Sequence, residues 1–324
     1  MSSSEILEDG KNDWKNKKVD NLIIAESYKR LWLKYDINNF ININYNMINC
    51  ASMLEFKLFE DNTKKLNKAM FCRNRLCPMC NWRRSKKIFG QVSKIVQEID
   101  KLDKYNYIFL TLTLKNCTSN ELEENINLIS SSFMNMFRGN KKIKNICKGY
   151  FRAIEVTFNK KENTYHPHIH CIIVVDKNYF NRRNKDYIKI EEWQLIWQYY
   201  LKVDYLPICD VRKVKLMNYK AVAEVSKYTV KSKDIIIYNQ DKSVNEKLTD
   251  DNIYNLHFTL RNKRLVSFGG IFKEYHKKLN FEDINKNDID LIKTDVDDND
   301  ELLNYIIVKY GWNVGLTNYI LTKN

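Results

Sequence analysis

Three of the five histidines in the chain fall in one stretch, Tyr165-His166-Pro167-His168-Ile169-His170-Cys171-Ile172-Ile173-Val174. A β-strand places every second side chain on one face. A strand that begins near Pro167 therefore presents His168 and His170 side by side. Two imidazoles so placed can chelate one divalent ion. Pro167 is expected at the start of the strand, because it cannot donate to a ladder. The competing reading is two histidines that alternate by accident along a half-buried strand.

The elements that must position this pair lie on both sides of it. Phe151–Phe158 has the β-branched and aromatic content of a strand. The polar connection Asn159–Thr164 joins it to the histidine strand, and strands so joined usually pair as a hairpin. That pairing sets Glu155 beside His168 and His170 as a third, carboxylate ligand; its other reading is a glutamate on the solvent face. Tyr107–Leu114 is a further strand, with Thr111 and Thr113 alternating against leucines. Helices are expected from Trp82 through Leu102, from Leu122 to Gly139 behind a Thr118/Glu121 capping pair, and over Trp193–Leu201. The aromatic stripe Trp193, Trp197, Tyr200 reads as core. A strand is expected near Ile208–Val214, and Gly269-Gly270 marks a tight turn or a close backbone approach.

A second group of chemical residues is Cys50, Cys72, Cys77 and Cys80. Cys77-Pro78-Met79-Cys80 is a C-x2-C knuckle, and four thiolates complete a tetrahedral structural zinc site with no open position. A redox role for the knuckle would need a thioredoxin-like βαβ context, which the flanking pattern lacks. Arg73, Arg75, Arg83, Arg84, Lys86 and Lys87 surround the knuckle, and this basic loop is expected to contact DNA phosphates. A third group, Lys220, Glu224 and Tyr228, recurs at helical spacing, with Lys227 and Lys231 nearby. By itself that stripe is an ordinary solvated helix face.

The formal net charge is +14 over 324 residues. It is uneven: residues 281–324 hold four Lys against nine Asp/Glu, so the first 280 residues carry +19. A field of that sign attracts polyanions, and the 13% aromatic content suits stacking on bases. Nucleic acid is the expected partner. No apolar run approaches the ~18 residues of a membrane span, and no leader segment is seen. A soluble, cytoplasmic protein without a membrane partner is expected. Residues 1–28 read as mostly irregular, with helix from Ala25. Residues 282–301 read as an acidic linker, and Leu302–Leu321 as a small closing element.

The histidine strand resembles the His-hydrophobe-His metal motif of the HUH endonucleases. Phe109-Leu110-Thr111-Leu112-Thr113, Tyr165–His170 and Glu224-Val225-Ser226-Lys227-Tyr228 together resemble the rolling-circle replication initiator (Rep) proteins of small bacterial plasmids. Cys72–Lys87 resembles the Cys-rich segment of one Rep subfamily. The resemblance implies an α+β fold, a central antiparallel sheet with flanking helices, preceded by a Cys-rich zinc-type segment. It implies segments 1–44 (extension), 45–90 (Cys-rich), 91–280 (nicking domain) and 281–324 (acidic linker and closing element). His168 and His170 match the family's metal ligands, with Mg²⁺ or Mn²⁺ as the ion, and Glu155 falls where related initiators place an acidic ligand. Tyr228 matches the nucleophile, which forms a 5′-phosphotyrosine and leaves a 3′-OH primer. Glu224 matches the glutamate that activates water at termination. Lys227 and Lys231 are expected to favour the phenolate. His166 has no role in the pattern. The implied partners are a single-stranded or hairpin site at the plasmid origin and the host helicase and polymerase. Alternatives are an HUH transposase or relaxase, a zinc hydrolase built on the histidine pair, and a non-catalytic zinc-containing nucleic-acid-binding regulator.

Overall fold

Alternating β-branched and aromatic runs punctuated by helical periodicity give nineteen described elements in this computed structural model. The structure describes residues 6–8, 12–181, 183–214, 220–226, 230–294 and 304–322. In chain order these elements are α1 (Trp14–Tyr35), α2 (Asn38–Asn49), β1 (Met53–Phe59), β2 (Lys64–Ala69), α3 (Pro78–Asp100), β3 (Tyr105–Thr113), α4 (Leu122–Gly139), α5 (Lys141–Ile146), β4 (Gly149–Asn159) and β5 (Thr164–Asp176). They continue with α6 (Ile190–Leu201), β6 (Cys209–Val214), α7 (Lys220–Val225), α8 (Ser232–Ile235), α9 (Glu246–Leu260), β7 (Val266–Gly270), α10 (Ile271–Lys278), β8 (Tyr305–Asn313) and β9 (Asn318–Leu321). The fold is α+β with two antiparallel sheets and flanking helices. No described helix is long and apolar enough to cross a membrane.

The chain divides into two units. Unit 1 comprises Met1–Lys87, Lys231–Phe258 and Asn287–Asn324; unit 2 comprises Ile88–Val230 and Thr259–Lys286. Unit 1 thus gathers both chain ends around the Cys-rich segment. Its sheet has the order β2-β1-β8-β9, so the expected closing element is the strand pair that completes this sheet.

Two expectations for unit 1 are corrected. Residues 14–35 form a full helix, because Trp14, Lys18, Asn21, Ile24, Ala25, Tyr28 and Leu31 repeat at helical spacing and are buried. The polar identity of Lys18 and Asn21 hid that face. The acidic stretch is also not a free linker as far as Thr294. Ile289 and Leu291 are buried, and cations hold the backbone between them. Arg73 Nε donates to the Ile289 carbonyl (3.3 Å), Lys87 Nζ to Asp290 (2.9 Å), and Arg83 to Leu291 (2.7 Å) and Ile292 (2.5 Å).

Unit 2 is built on a five-stranded sheet of order β6-β3-β5-β4-β7. The β4–β5 hairpin pairs Glu155 with His168 and Ala153 with His170, and β3 pairs Thr111 with His170 and Thr113 with His168. One face carries Leu110, Leu112, Ile154, Ile169, Cys171 and Ile173, all at most 1% exposed. Helix α4 covers that face: Phe133 packs edge-on against Tyr150 at 5.1 Å, and Ser130 accepts from Arg152 at 3.1 Å. Trp193 and Trp197 of α6 are fully buried, as core.

β5 begins at Thr164, three residues before the expected proline start. Tyr165 exchanges both backbone hydrogen bonds with Cys117 on the β3 side. Pro167, two residues on, has its nitrogen turned the same way, where the β3 ladder has ended at the Thr113–His168 pair. Proline therefore removes no ladder bond there. Gly270 sits at φ +52°, and a Cβ there would collide with the Lys148 carbonyl, which is the close backbone approach that the glycine pair signalled.

Candidate functional site

Residues opposite one another in an antiparallel ladder share a face. The register therefore puts Thr111, Thr113, Ala153, Glu155, His168 and His170 on the sheet face opposite Leu110 and Ile169. On that face the two imidazoles converge on one carboxylate oxygen: Glu155 Oε2 lies 3.2 Å from His170 Nε2 and 3.7 Å from His168 Nε2. Glu155 is only 3% exposed. A carboxylate this buried is stabilised by pairing or by a metal, and here it lies beside two imidazole nitrogens.

The outer nitrogens decide which ring atoms are available. His168 Nδ1 lies 3.1 Å from the His166 carbonyl oxygen, which can only accept, so Nδ1 donates there and Nε2 is the ring atom turned toward Glu155. His170 Nδ1 is 3.1 Å from Thr111 Oγ1, whose hydroxyl can accept that proton in the same way. Neighbouring ligands of an octahedral ion with bonds of about 2.1 Å stand about 3.0 Å apart. The three ligand atoms lie within 4.8 Å of one another, so this 2-His-1-carboxylate set could hold one divalent ion. Burial and the neighbouring His168 push His166 below the ordinary imidazole range; its ring stacks on His168 at 5.2 Å but is not in the ligand cluster.

Helix α7 packs against β5 and carries Glu224, which is half-buried. The expected nucleophile Tyr228 and its neighbour Lys227 lie outside the described residues. Lys231 does not extend the α7 stripe; it is extended (φ −87°, ψ 152°) at the start of α8 and belongs to unit 1.

In unit 1 the four cysteines converge. Cys50 Sγ lies 3.7 Å from Cys77 Sγ and 3.6 Å from Cys80 Sγ, and Cys72 Sγ lies 3.7 Å from Cys80 Sγ. Tetrahedral zinc with bonds of about 2.3 Å sets its sulfurs about 3.8 Å apart, so the set fits that ion and is far from disulfide length. The knuckle is made by local chemistry. Asn74 Oδ1 accepts from Leu76 N at 2.7 Å, Pro78 takes the first position of α3, and Cys80 follows in its first turn. Arg73, at φ +58°, turns its N–H onto Cys80 Sγ (3.1 Å), and Cys72 N donates to Cys50 Sγ (3.4 Å). Burial pushes the Cys77 and Cys80 thiols well above their ordinary range, while hydrogen bonds from the other thiols, that of Cys72 first, hold Cys50 well below it. A cation held among them would resolve that conflict by ionising all four.

Two residues outside the expected ligand sets complete these sites. Thr111 orients His170; its alternation in β3 is visible in the sequence, but only the register places it opposite that ring. Lys18 is fully buried beside the cysteines and donates to the Ile48 and Cys50 carbonyls (both 2.7 Å) and to Ser52 Oγ (3.1 Å). A zinc ion held by four thiolates would carry two net negative charges, and this ammonium would offset part of them. A lysine at a core position of an amphipathic helix was the signal.

The basic residues around the knuckle divide. Arg83, Arg84 and Lys87 are at most 5% exposed, and their heads donate to backbone carbonyls, Arg84 to that of Arg73 at 2.9 Å. Burial corrects the expectation that these three face phosphates. Arg73 also donates to a carbonyl but is exposed, and Arg75 and Lys86 are half-buried.

Comparison with known proteins finds a family for this chain. The family described as "Replication protein" matches residues 63–320. A "Protein rep" of Bacillus amyloliquefaciens is 38% identical over 99% of this chain and 100% of its own length. A "Protein rep" of Streptococcus pneumoniae is 36% identical over 95% of this chain and 92% of its own. A "Protein rep" from a Bacillus species is 39% identical over 82% and 90%. No solved structure matches.

Proposed function

The chain belongs to the replication protein family, and from that premise we propose that it is a plasmid rolling-circle initiator that nicks and rejoins one DNA strand at the origin. The observation that carries the reading is the Glu155–His168–His170 cluster, whose possible ligand atoms lie within 4.8 Å of one another on one face of the sheet.

A divalent ion held by these three residues, Mg²⁺ or Mn²⁺, supplies Lewis-acid polarisation of the scissile phosphate. The chain's own groups do the rest. The Tyr228 phenolate attacks phosphorus, the P–O3′ bond breaks, and a 3′-OH leaves as the primer while the 5′ end stays on the tyrosine. Phenol ionises near pH ~10, and Lys227, the neighbour of Tyr228 in the sequence, favours the anion. The covalent link conserves the phosphodiester energy for rejoining. Glu224, four residues before Tyr228, takes a proton from the water that cuts the regenerated junction at termination. The Cys50–Cys72–Cys77–Cys80 set holds a structural zinc. The substrate is a single-stranded or hairpin-extruded origin, and the exposed 3′-OH passes to the host helicase and polymerase.

The test is to incubate the full chain with Mn²⁺ and a labelled single-stranded origin oligonucleotide and to map the adduct. A phosphotyrosine at Tyr228, absent from Tyr228→Phe, is expected. An adduct on another residue, or cleavage without one, overturns the assignment.

A further inference from the structure

Unit 1 contains a cleft of about 240 Å³ between the β1–β2 hairpin and the first turns of α3. Lys64 and Lys65 line it from β2, and Arg83 and Lys86 from α3; none of the described lining residues is acidic. Its aromatic wall is already taken by cations. Lys86 Nζ sits 4.5 Å from the Trp82 ring centroid, Lys17 Nζ 4.8 Å, and the Arg83 guanidinium carbon 5.5 Å. These cations hold positive charge at fixed positions beside the cleft. Lys64 Nζ donates to the Glu8 carbonyl at 3.0 Å, a neutral partner that orients the ammonium without cancelling its charge. Lys86 Nζ is oriented by Asn12 Oδ1 at 2.7 Å.

Lys64, Lys65 and Lys86, with the Asn12 amide beside them, line one small recess and suit an anion rich in acceptor oxygens. The volume lies below the roughly 300–1,000 Å³ of pockets that enclose drug-sized ligands, which favours one compact group over a whole nucleotide. We propose that this cleft seats a backbone phosphate of the DNA, a sequence-independent anchor supplied by the β1–β2 hairpin and Trp82. That the phosphate belongs to DNA rests on the initiator reading; that the cleft takes a phosphate does not. The buried Arg83, Arg84 and Lys87, whose heads already hold backbone, point the same way: lysines rather than the knuckle arginines meet the phosphate.

The experiment measures binding of the full chain to an origin duplex and to a scrambled duplex across a salt series. It compares wild type with Lys64→Gln/Lys65→Gln and, separately, Lys86→Gln. Each phosphate that a variant no longer neutralises lowers the slope of log K against log salt by roughly 1. The slope is therefore expected to fall by up to about one in either variant, equally on both duplexes, with zinc content and melting temperature like wild type. Unchanged slopes in both variants overturn the proposal, and so does a decrease confined to the origin sequence. Calorimetry with inorganic phosphate and with a mononucleotide separates the source. Tight binding of either that the variants abolish, with DNA slopes intact, makes this a small-molecule site and overturns the DNA assignment. A wild type that forms no tyrosine adduct, yet whose variants show the reduced slope, retains the anchor and removes the nicking reading.

Discussion

Glu155 Oε2 stands 3.2 Å from His170 Nε2, across strands that are consecutive in the chain. Ala153, not Glu155, is the register partner of His170. The carboxylate thus reaches diagonally from the rung of His168 to serve both rings, and the cluster depends on how each ring is held.

His170 is held by Thr111. Thr111→Val removes the oxygen 3.1 Å from Nδ1 without changing side-chain size. Loss of such an outer partner weakens metal binding about 10- to 100-fold. Mn²⁺ titration by calorimetry, with nicking followed in parallel, is expected to show weaker binding and a nicking defect that high Mn²⁺ restores. His168→Ala and His170→Ala should abolish metal-dependent cleavage at any Mn²⁺ concentration; unchanged cleavage refutes the ligand assignment.

Removal of zinc should unfold unit 1 locally. Stripping the Cys50–Cys72–Cys77–Cys80 set with a strong chelator is expected to lower the melting temperature, and Zn²⁺ but not Mg²⁺ should restore it. Cys50→Ser should lower bound zinc from one equivalent to well below one by atomic absorption. A full equivalent in that variant excludes Cys50 as a ligand.

Lys18→Met keeps the bulk of the side chain and removes the ammonium. Two buried carbonyls and the charge beside the cysteines then lose their partner. A destabilisation of about 3 kcal/mol is expected in denaturant titration. Zinc should also dissociate faster in a competition assay with a chromophoric chelator.

Arg83→Ala tests whether that residue serves structure or DNA. It removes the donors to the Leu291 and Ile292 carbonyls. Limited proteolysis is expected to open a new cut near residues 288–294, with stability down by roughly 2 kcal/mol. Tighter protection with weakened DNA binding would instead mark a residue that meets phosphate.

Gly270→Ala places a Cβ on a residue at φ +52° and against the Lys148 carbonyl. The backbone term alone costs roughly 1–2 kcal/mol. Amide exchange should quicken at the β4–β7 pairs, Gly149 with Gly270 first.

Much of this was legible in the amino-acid sequence, because its signals are local. Period-two alternation defined β3, β4 and β5, and a short polar connection defined their hairpin. Cysteine spacing marked the knuckle, and histidine alternation put His168 and His170 on one face. What escaped depended on residues far apart in the chain. Thr111 orients His170 only because β3 and β5 pair in one register of several possible. Lys18 is buried beside cysteines 32 and more positions away, and its type argued for solvent. Arg83, Arg84 and Lys87 have the composition of a DNA-facing loop, yet they hold carbonyls some 200 residues on, or 11 in the case of Arg84. Residue type and spacing determine which groups can do chemistry. Only tertiary packing decides which charges stay in water and which commit their hydrogen bonds to the protein itself, because that choice depends on what the rest of the chain brings against them.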